Sequence, residues 1–157
     1  MTGNRLETLK RAHSIDWIEP AEVCGPVWTG TYEQAGDGSL QALIAEVRQA
    51  TQGAMTGLSI NDRPDGFRYL IGSEGGGSAG GMSPQTWRLD GHHCLRMPYE
   101  GPASGVTTAY QEMLDALTGS VWEPRPDICH HRDEYGRSNP LDDPLTVTLG
   151  IPVRRRS

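Results

Sequence analysis

The chain has 157 residues, is 36% hydrophobic and carries a formal net charge of -6. That length buries one core without disulfides or a structural metal, and no apolar run approaches the roughly 18 residues of a membrane-spanning helix. The acidic balance opposes a phosphate-backbone surface, which needs clustered Lys and Arg, so neither nucleic acid nor membrane is an expected partner.

Cys24, Cys94 and Cys129 are an odd number at wide spacing, which argues against a disulfide framework and suits a reducing compartment. With no export signal legible around Met1–Leu6, a cytoplasmic protein is expected. A single Phe stands beside four Trp and five Tyr, so most rings carry a polar edge that wants a partner when buried, a hint of a pocket.

In chain order, residues 1–18 show only weak helical spacing and read as an extension. Val23, Val27, Trp28 and Tyr32 mark a first strand over about 19–32, made irregular by Gly25-Pro26. Gly36–Ser39 is turn chemistry, and Asp37 or Ser39 can cap a helix whose apolar stripe is Leu40, Leu43, Ile44 and Val47, with Gly53 as its stop. Residues 55–61 and 67–72 read as a hairpin turned by Asp62–Gly66. The run Gly75–Gly81 is too poor in side chains to pack and predicts a flexible joint. Without a helix and Lys directly after it, it lacks the context of a phosphate cradle.

The order then repeats. Residues 86–99 predict a strand, Gly101–Ser104 leads into a helix with Val106, Tyr110, Met113, Leu114 and Leu117 on one face, and Gly119 stops it. Two further strands are expected at about 127–132 and 145–153, separated by the turn-rich 133–143. Arg154–Arg156 reads as a solvated tail. The spacing thus predicts one α+β domain over 19–154. Its halves, about 19–74 and 84–154, each read strand, helix, strand, strand, with a cleft at the join where a small organic ligand can sit.

Met97-Pro98-Tyr99-Glu100-Gly101-Pro102, the helix containing Ala109-Tyr110, Trp122, and Leu149-Gly150-Ile151-Pro152-Val153 together resemble the gyrase-inhibitor-like small-molecule-binding domains. These include the effector-binding parts of AraC-type and MerR-type multidrug regulators. The resemblance implies two β-α-β-β modules in pseudo-twofold arrangement, an antiparallel sheet with two helices, and a central ligand cleft. No DNA-reading segment is legible before Glu19, so the expectation is a ligand-binding module that sequesters or senses its ligand, as monomer or homodimer. The resemblance also admits hydrolysis of cyclopropane-containing natural products, or a protein partner such as gyrase. It implies no cofactor and no metal.

Family members often carry a Glu on the penultimate strand, a Tyr two residues later, and another Glu on the last strand. Aligned here, those places fall on Cys129, His131 and Thr148, which makes a neutral or anionic aromatic ligand as acceptable as a cation. The expected ligand-binding residues are Trp28, Tyr32, Tyr69, Trp87, Tyr99, Trp122, His131 and Tyr135, and a hydrolase would draw on Glu100, Glu134 and His131. His92-His93-Cys94 and Cys129-His130-His131 form a near-mirror pair. If their strands pair, His92, Cys94, Cys129 and His131 could converge as zinc ligands, although no C-x-x-C or H-x-x-x-H spacing supports it.

Overall fold

The computed structural model describes Leu9 and residues 11–51, 53–74 and 83–157. In chain order the elements are β1 (Ser14–Ile18), β2 (Ala21–Gly25), β3 (Val27–Thr31), α1 (Tyr32–Ala35), α2 (Ser39–Ala50), β4 (Met55–Arg63), β5 (Gly66–Gly72), β6 (Gln85–Leu89) and β7 (His92–Gly101). They continue with α3 (Val106–Leu117), β8 (Trp122–Pro124), β9 (His131–Gly136) and β10 (Leu145–Arg155). The Gly75–Gly81 joint lies outside the described residues.

The main sheet runs β1-β7-β10-β9-β4-β5-β3, with β8 added on β10. Outward from its middle, the first half supplies β4, β5 and β3 and the second half β9, β10 and β7. The halves join where β4 and β9 pair antiparallel, with Gly57 opposite Asp133. This is the α+β arrangement of two β-α-β-β modules that the sequence predicts.

Both long helices lie on one face because each has a single apolar stripe to bury. In α2, Leu40, Leu43, Ile44 and Val47 pack on Met55, Tyr69 and Ile71. Gly38 is the N-cap and the Asp37 carboxylate accepts from the Ser39 amide at 2.8 Å; the helix ends at Ala50, ahead of Gly53. In α3, Ala109, Tyr110, Met113, Ala116 and Leu117 pack on alternate residues of β7 and β10, namely Leu95, Met97, Leu149 and Ile151. Side chains alternate along a strand, so the intervening residues Pro98, Glu100, Thr146 and Thr148 face away from the helices. On that far side a two-stranded sheet, β2-β6, covers the first half through Val23, Leu58, Leu70 and Leu89.

Five features differ from the expectation. The first strand is two, β2 and β3, in different sheets, because Pro26 has no N–H to continue a ladder. The strand expected over 86–99 is likewise β6 and β7, broken at Asp90-Gly91. The strand expected at 127–132 begins only at His131 and runs to Gly136: Arg125 to Ile128 forms a turn in which the Ile128 amide donates to the Arg125 carbonyl at 3.2 Å. The C-terminal arginines are not a solvated tail. Arg154 and Arg155 lie in β10, and Arg154 pairs with Glu123 at 2.9 Å. Arg156 donates to the Ser120 and Leu117 carbonyls at the C-terminal end of α3, where a cation is favoured. Ser14–Ile18, from the segment read as an extension, pairs with β7 along its whole length. No helix among the described residues is long and apolar enough to cross a membrane.

Candidate functional site

Because β9 starts at His131, its helix-facing positions are His131, Asp133 and Tyr135. They sit at the join of the halves, between the two helices. Tyr69 reaches this point from β5 by crossing β4 at Gly57, where a Cβ would overlap the Tyr69 hydroxyl. Tyr110 comes down from α3. The Tyr69 hydroxyl donates to Asp133 Oδ2 at 2.8 Å and the Tyr110 hydroxyl to Oδ1 at 2.5 Å, while the Tyr69 and Tyr135 hydroxyls lie 2.8 Å apart. The His131 ring stacks on Tyr110 with centroids 3.9 Å apart and planes 18° from parallel. Tyr69 and Tyr110 are buried, whereas His131, Asp133 and Tyr135 are half-buried.

The electrostatics of this recess are one-sided. Burial raises the Asp133 carboxyl above its usual value, and the Tyr110, Tyr69 and Tyr135 hydroxyls pull it back. No Arg or Lys offsets it: among the described residues Asp133 forms no ion pair. Its neighbours Arg132 and Glu134 point to the opposite face. There Glu134 takes Arg96 in a bidentate pair at 2.9 and 2.8 Å and lies 3.5 Å from Arg132. The phenols of Tyr69 and Tyr110 are pushed well above their usual value, first by burial and then by the Asp133 charge. Burial, with His130 adding to it, drives His131 down to about 4, so its imidazole is neutral at pH 7.

Of the residues singled out from sequence, Tyr69, His131 and Tyr135 come together here. The others lie elsewhere. Trp28 packs with the α2 core and donates to Ser39 Oγ at 3.1 Å. Tyr32 is 53% exposed against Phe67. Trp87 lies in the far-side core with Arg68 over its ring, and Trp122 meets His93 and Arg155 at the distal end of the sheet. Tyr99 is buried at the start of α3, its hydroxyl donating to the Pro102 carbonyl at 2.5 Å. Glu100 is exposed on the helix-free face, and Glu134 is held in the ion pairs just described.

Two expectations are corrected. The carboxylate that the alignment put out of reach is present: Asp133 followed by Tyr135 meets the acid-x-Tyr pattern, four residues beyond the Cys129–His131 register. His92, Cys94, Cys129 and His131 do not converge, because β10 lies between β7 and β9 and His131 faces the helices while Cys94 faces away. No metal-holding group of His, Cys, Asp and Glu occurs among the described residues. Burial also pushes the Cys94 and Cys129 thiols up to about 12, so both are protonated at neutral pH.

Sequence reasoning missed Asp133 and Gly57 as site residues and placed Tyr110 only on a core stripe. The acid-x-Tyr spacing was the signal for Asp133. For Gly57, nothing short of the strand register reveals which side chain crosses it.

An antiparallel sheet of two β-α-β-β modules with both helices on one face is the gyrase-inhibitor-like fold. Solved structures share it. The chain matches SAV2435 bound to tetraphenylphosphonium with a TM-score of 0.63 at 12% identity, covering 91% of this chain and 94% of that one. It matches the EcmrR C-terminal domain with a TM-score of 0.59 at 12% identity, covering 94% and 100%. A hydrolase from Listeria innocua matches with a TM-score of 0.57 at 14% identity, covering 92% and 93%. No protein-family model and no curated protein matches the sequence.

Proposed function

We propose that this protein binds a small, lipophilic aromatic cation in the recess between α2 and α3, for sequestration or sensing. The observation that carries this reading is Asp133. A carboxylate partly withdrawn from water, held by tyrosine hydroxyls and left without a counter-cation is costly to keep, and an organic cation removes that cost. Tyr69, Tyr110, His131 and Tyr135 supply ring faces and edges that attract a cation and cover its apolar groups. The fold shared with a protein bound to tetraphenylphosphonium supports the same ligand class. The hydrolytic alternative loses Glu100 and Glu134, which do not face the recess, and keeps only His131 beside Asp133.

Isothermal titration calorimetry with tetraphenylphosphonium tests the proposal. Wild type should bind, and Asp133→Asn should weaken binding by about thirtyfold or more, the effect of removing one partner of a desolvated charge pair. Equal affinity in the two proteins, or no binding by wild type, would refute it.

A further inference from the structure

A concavity lies where β7 and β9 end and β10 begins, and its chemistry is the reverse of that around Asp133. The groove encloses about 610 Å³, and its walls include Glu100, Glu134, Thr146 and Thr148 from the helix-free face of the sheet. Arg11 and Arg137 stand at its rim. Glu134 is already neutralised by Arg96, which binds it bidentately. Among the described residues Arg11, Arg137 and Glu100 form no ion pair, which leaves two unpaired cations against one acid. In a protein of net charge -6, this is a local excess of positive charge within a concave wall, where a field is focused.

The Arg11 side chain and the backbone turn that carries Arg137 are each held by contacts that leave the charge free. The Arg11 guanidinium lies over the Tyr99 ring, 5.0 Å from its centroid, and a ring face orients a cation without neutralising it. Arg137 sits in a turn fixed from behind. Arg48 donates to the carbonyls on either side of it, Gly136 at 3.1 Å and Ser138 at 3.3 Å, and to Thr51 and Gly53 at 2.6 and 2.8 Å. Gly136 takes the positive φ of 60° that this turn requires, and the Ser138 amide closes it on the Tyr135 carbonyl at 3.0 Å. The loop that presents Arg137 is thus set before any ligand arrives, which lowers the ordering cost of binding.

We propose that this groove is a second ligand site that takes a small organic anion, a carboxylate or a phosphate ester, between Arg11 and Arg137. Guanidinium groups bind both oxyanions through charge-assisted, often bidentate hydrogen bonds, and Thr148 and Ser138 line the same groove. Tyr135 lines this groove and also joins the Asp133 cluster, so the two sites abut; they differ in the charge that holds the ligand, Arg11 and Arg137 here and Asp133 there.

The full chain, labelled with ¹⁵N, is titrated with benzoate, phenyl phosphate and the uncharged benzamide while amide spectra are recorded. Benzoate, phenyl phosphate or both should give saturable shifts at residues 134–138 and 146–148, and benzamide should give none. Whichever anion binds more tightly identifies the oxyanion class. The double variant Arg11→Gln, Arg137→Gln changes two exposed side chains and should weaken binding at least tenfold, while Arg63→Gln, on the distant β4–β5 hairpin, should leave it unchanged. The proposal fails if benzamide binds like benzoate, if neither anion saturates below 10 mM (about 2.7 kcal/mol), or if the double variant binds as tightly as wild type.

Discussion

His131 offers the most direct check on how the recess is built. Its imidazole stacks on Tyr110 and burial drives it down to about 4, against an ordinary value of 6.5. In the unfolded chain it takes up a proton as the pH falls through 6.5, whereas in the folded chain it stays neutral until about 4. The unfolded state therefore binds more protons across this window, and stability falls as the pH falls through it, with no further loss from this group below 4. At 1.36 kcal/mol per unit, the whole span is worth about 3.4 kcal/mol, of which about 2.4 kcal/mol is lost between pH 7 and pH 4.5. His131→Phe keeps a flat ring against Tyr110 and removes the titrating nitrogens. Urea unfolding of both proteins at the two pH values gives two losses of stability. The carboxylates and other histidines titrate in both, so the wild-type loss should exceed that of the variant by about 2–3 kcal/mol. Equal losses at unchanged m would refute the argument that the ring is held neutral.

Asp133 carries the opposite sign. Its folded-state carboxyl is raised by burial, so its contribution is present below the usual carboxylate value and lost as the pH rises through the raised one. Asp133→Asn should therefore gain stability relative to wild type between pH 3 and pH 7, and urea titrations showing the reverse trend would count against the burial. Gly57→Ala puts a methyl group where the Tyr69 hydroxyl passes, so it should cost about 1–3 kcal/mol of stability and also weaken tetraphenylphosphonium binding; calorimetry showing full affinity would contradict the crossing. Met113→Ala empties a fully buried position between α3 and the sheet, with an expected loss of about 2–5 kcal/mol by urea unfolding. A cost under about 1 kcal/mol would mean that the helix is not docked there as described.

Most of the architecture was legible because it rests on periodicity. Leu40, Leu43, Ile44 and Val47 at helical spacing, and Tyr110, Met113 and Leu117 likewise, have only one way to bury a stripe, and the repeated order of elements fixes which strands can flank each helix. Boundaries that depend on single hydrogen bonds were not legible. Pro26 splits a strand whose residues on both sides have the same propensity, and only the tertiary pairing of β2 with β6 shows that the pieces belong to different sheets. Similarly, Asp127–Cys129 has nothing against it as a strand until the turn closed by Arg125 and Ile128 is seen.

That last displacement decided the chemistry expected of the site. With the strand started at Asp127, the acid-x-Tyr positions fall on Cys129 and His131, and Asp133 opens a polar turn, the ordinary place for an exposed Asp. Started at His131, the strand carries Asp133 into the helix-facing layer next to Gly57, and three tyrosines from β5, α3 and β9 close around it. A local reading prices Asp by its own solvation and so puts it outside. The structure puts it inside because the hydroxyls that hold its charge come from residues as much as 64 positions away. Those distant phenols are themselves the clue. A chain with one Phe and five Tyr places hydroxyls inside its core, and buried hydroxyls need an acceptor. Asking which acceptor they share leads to Asp133.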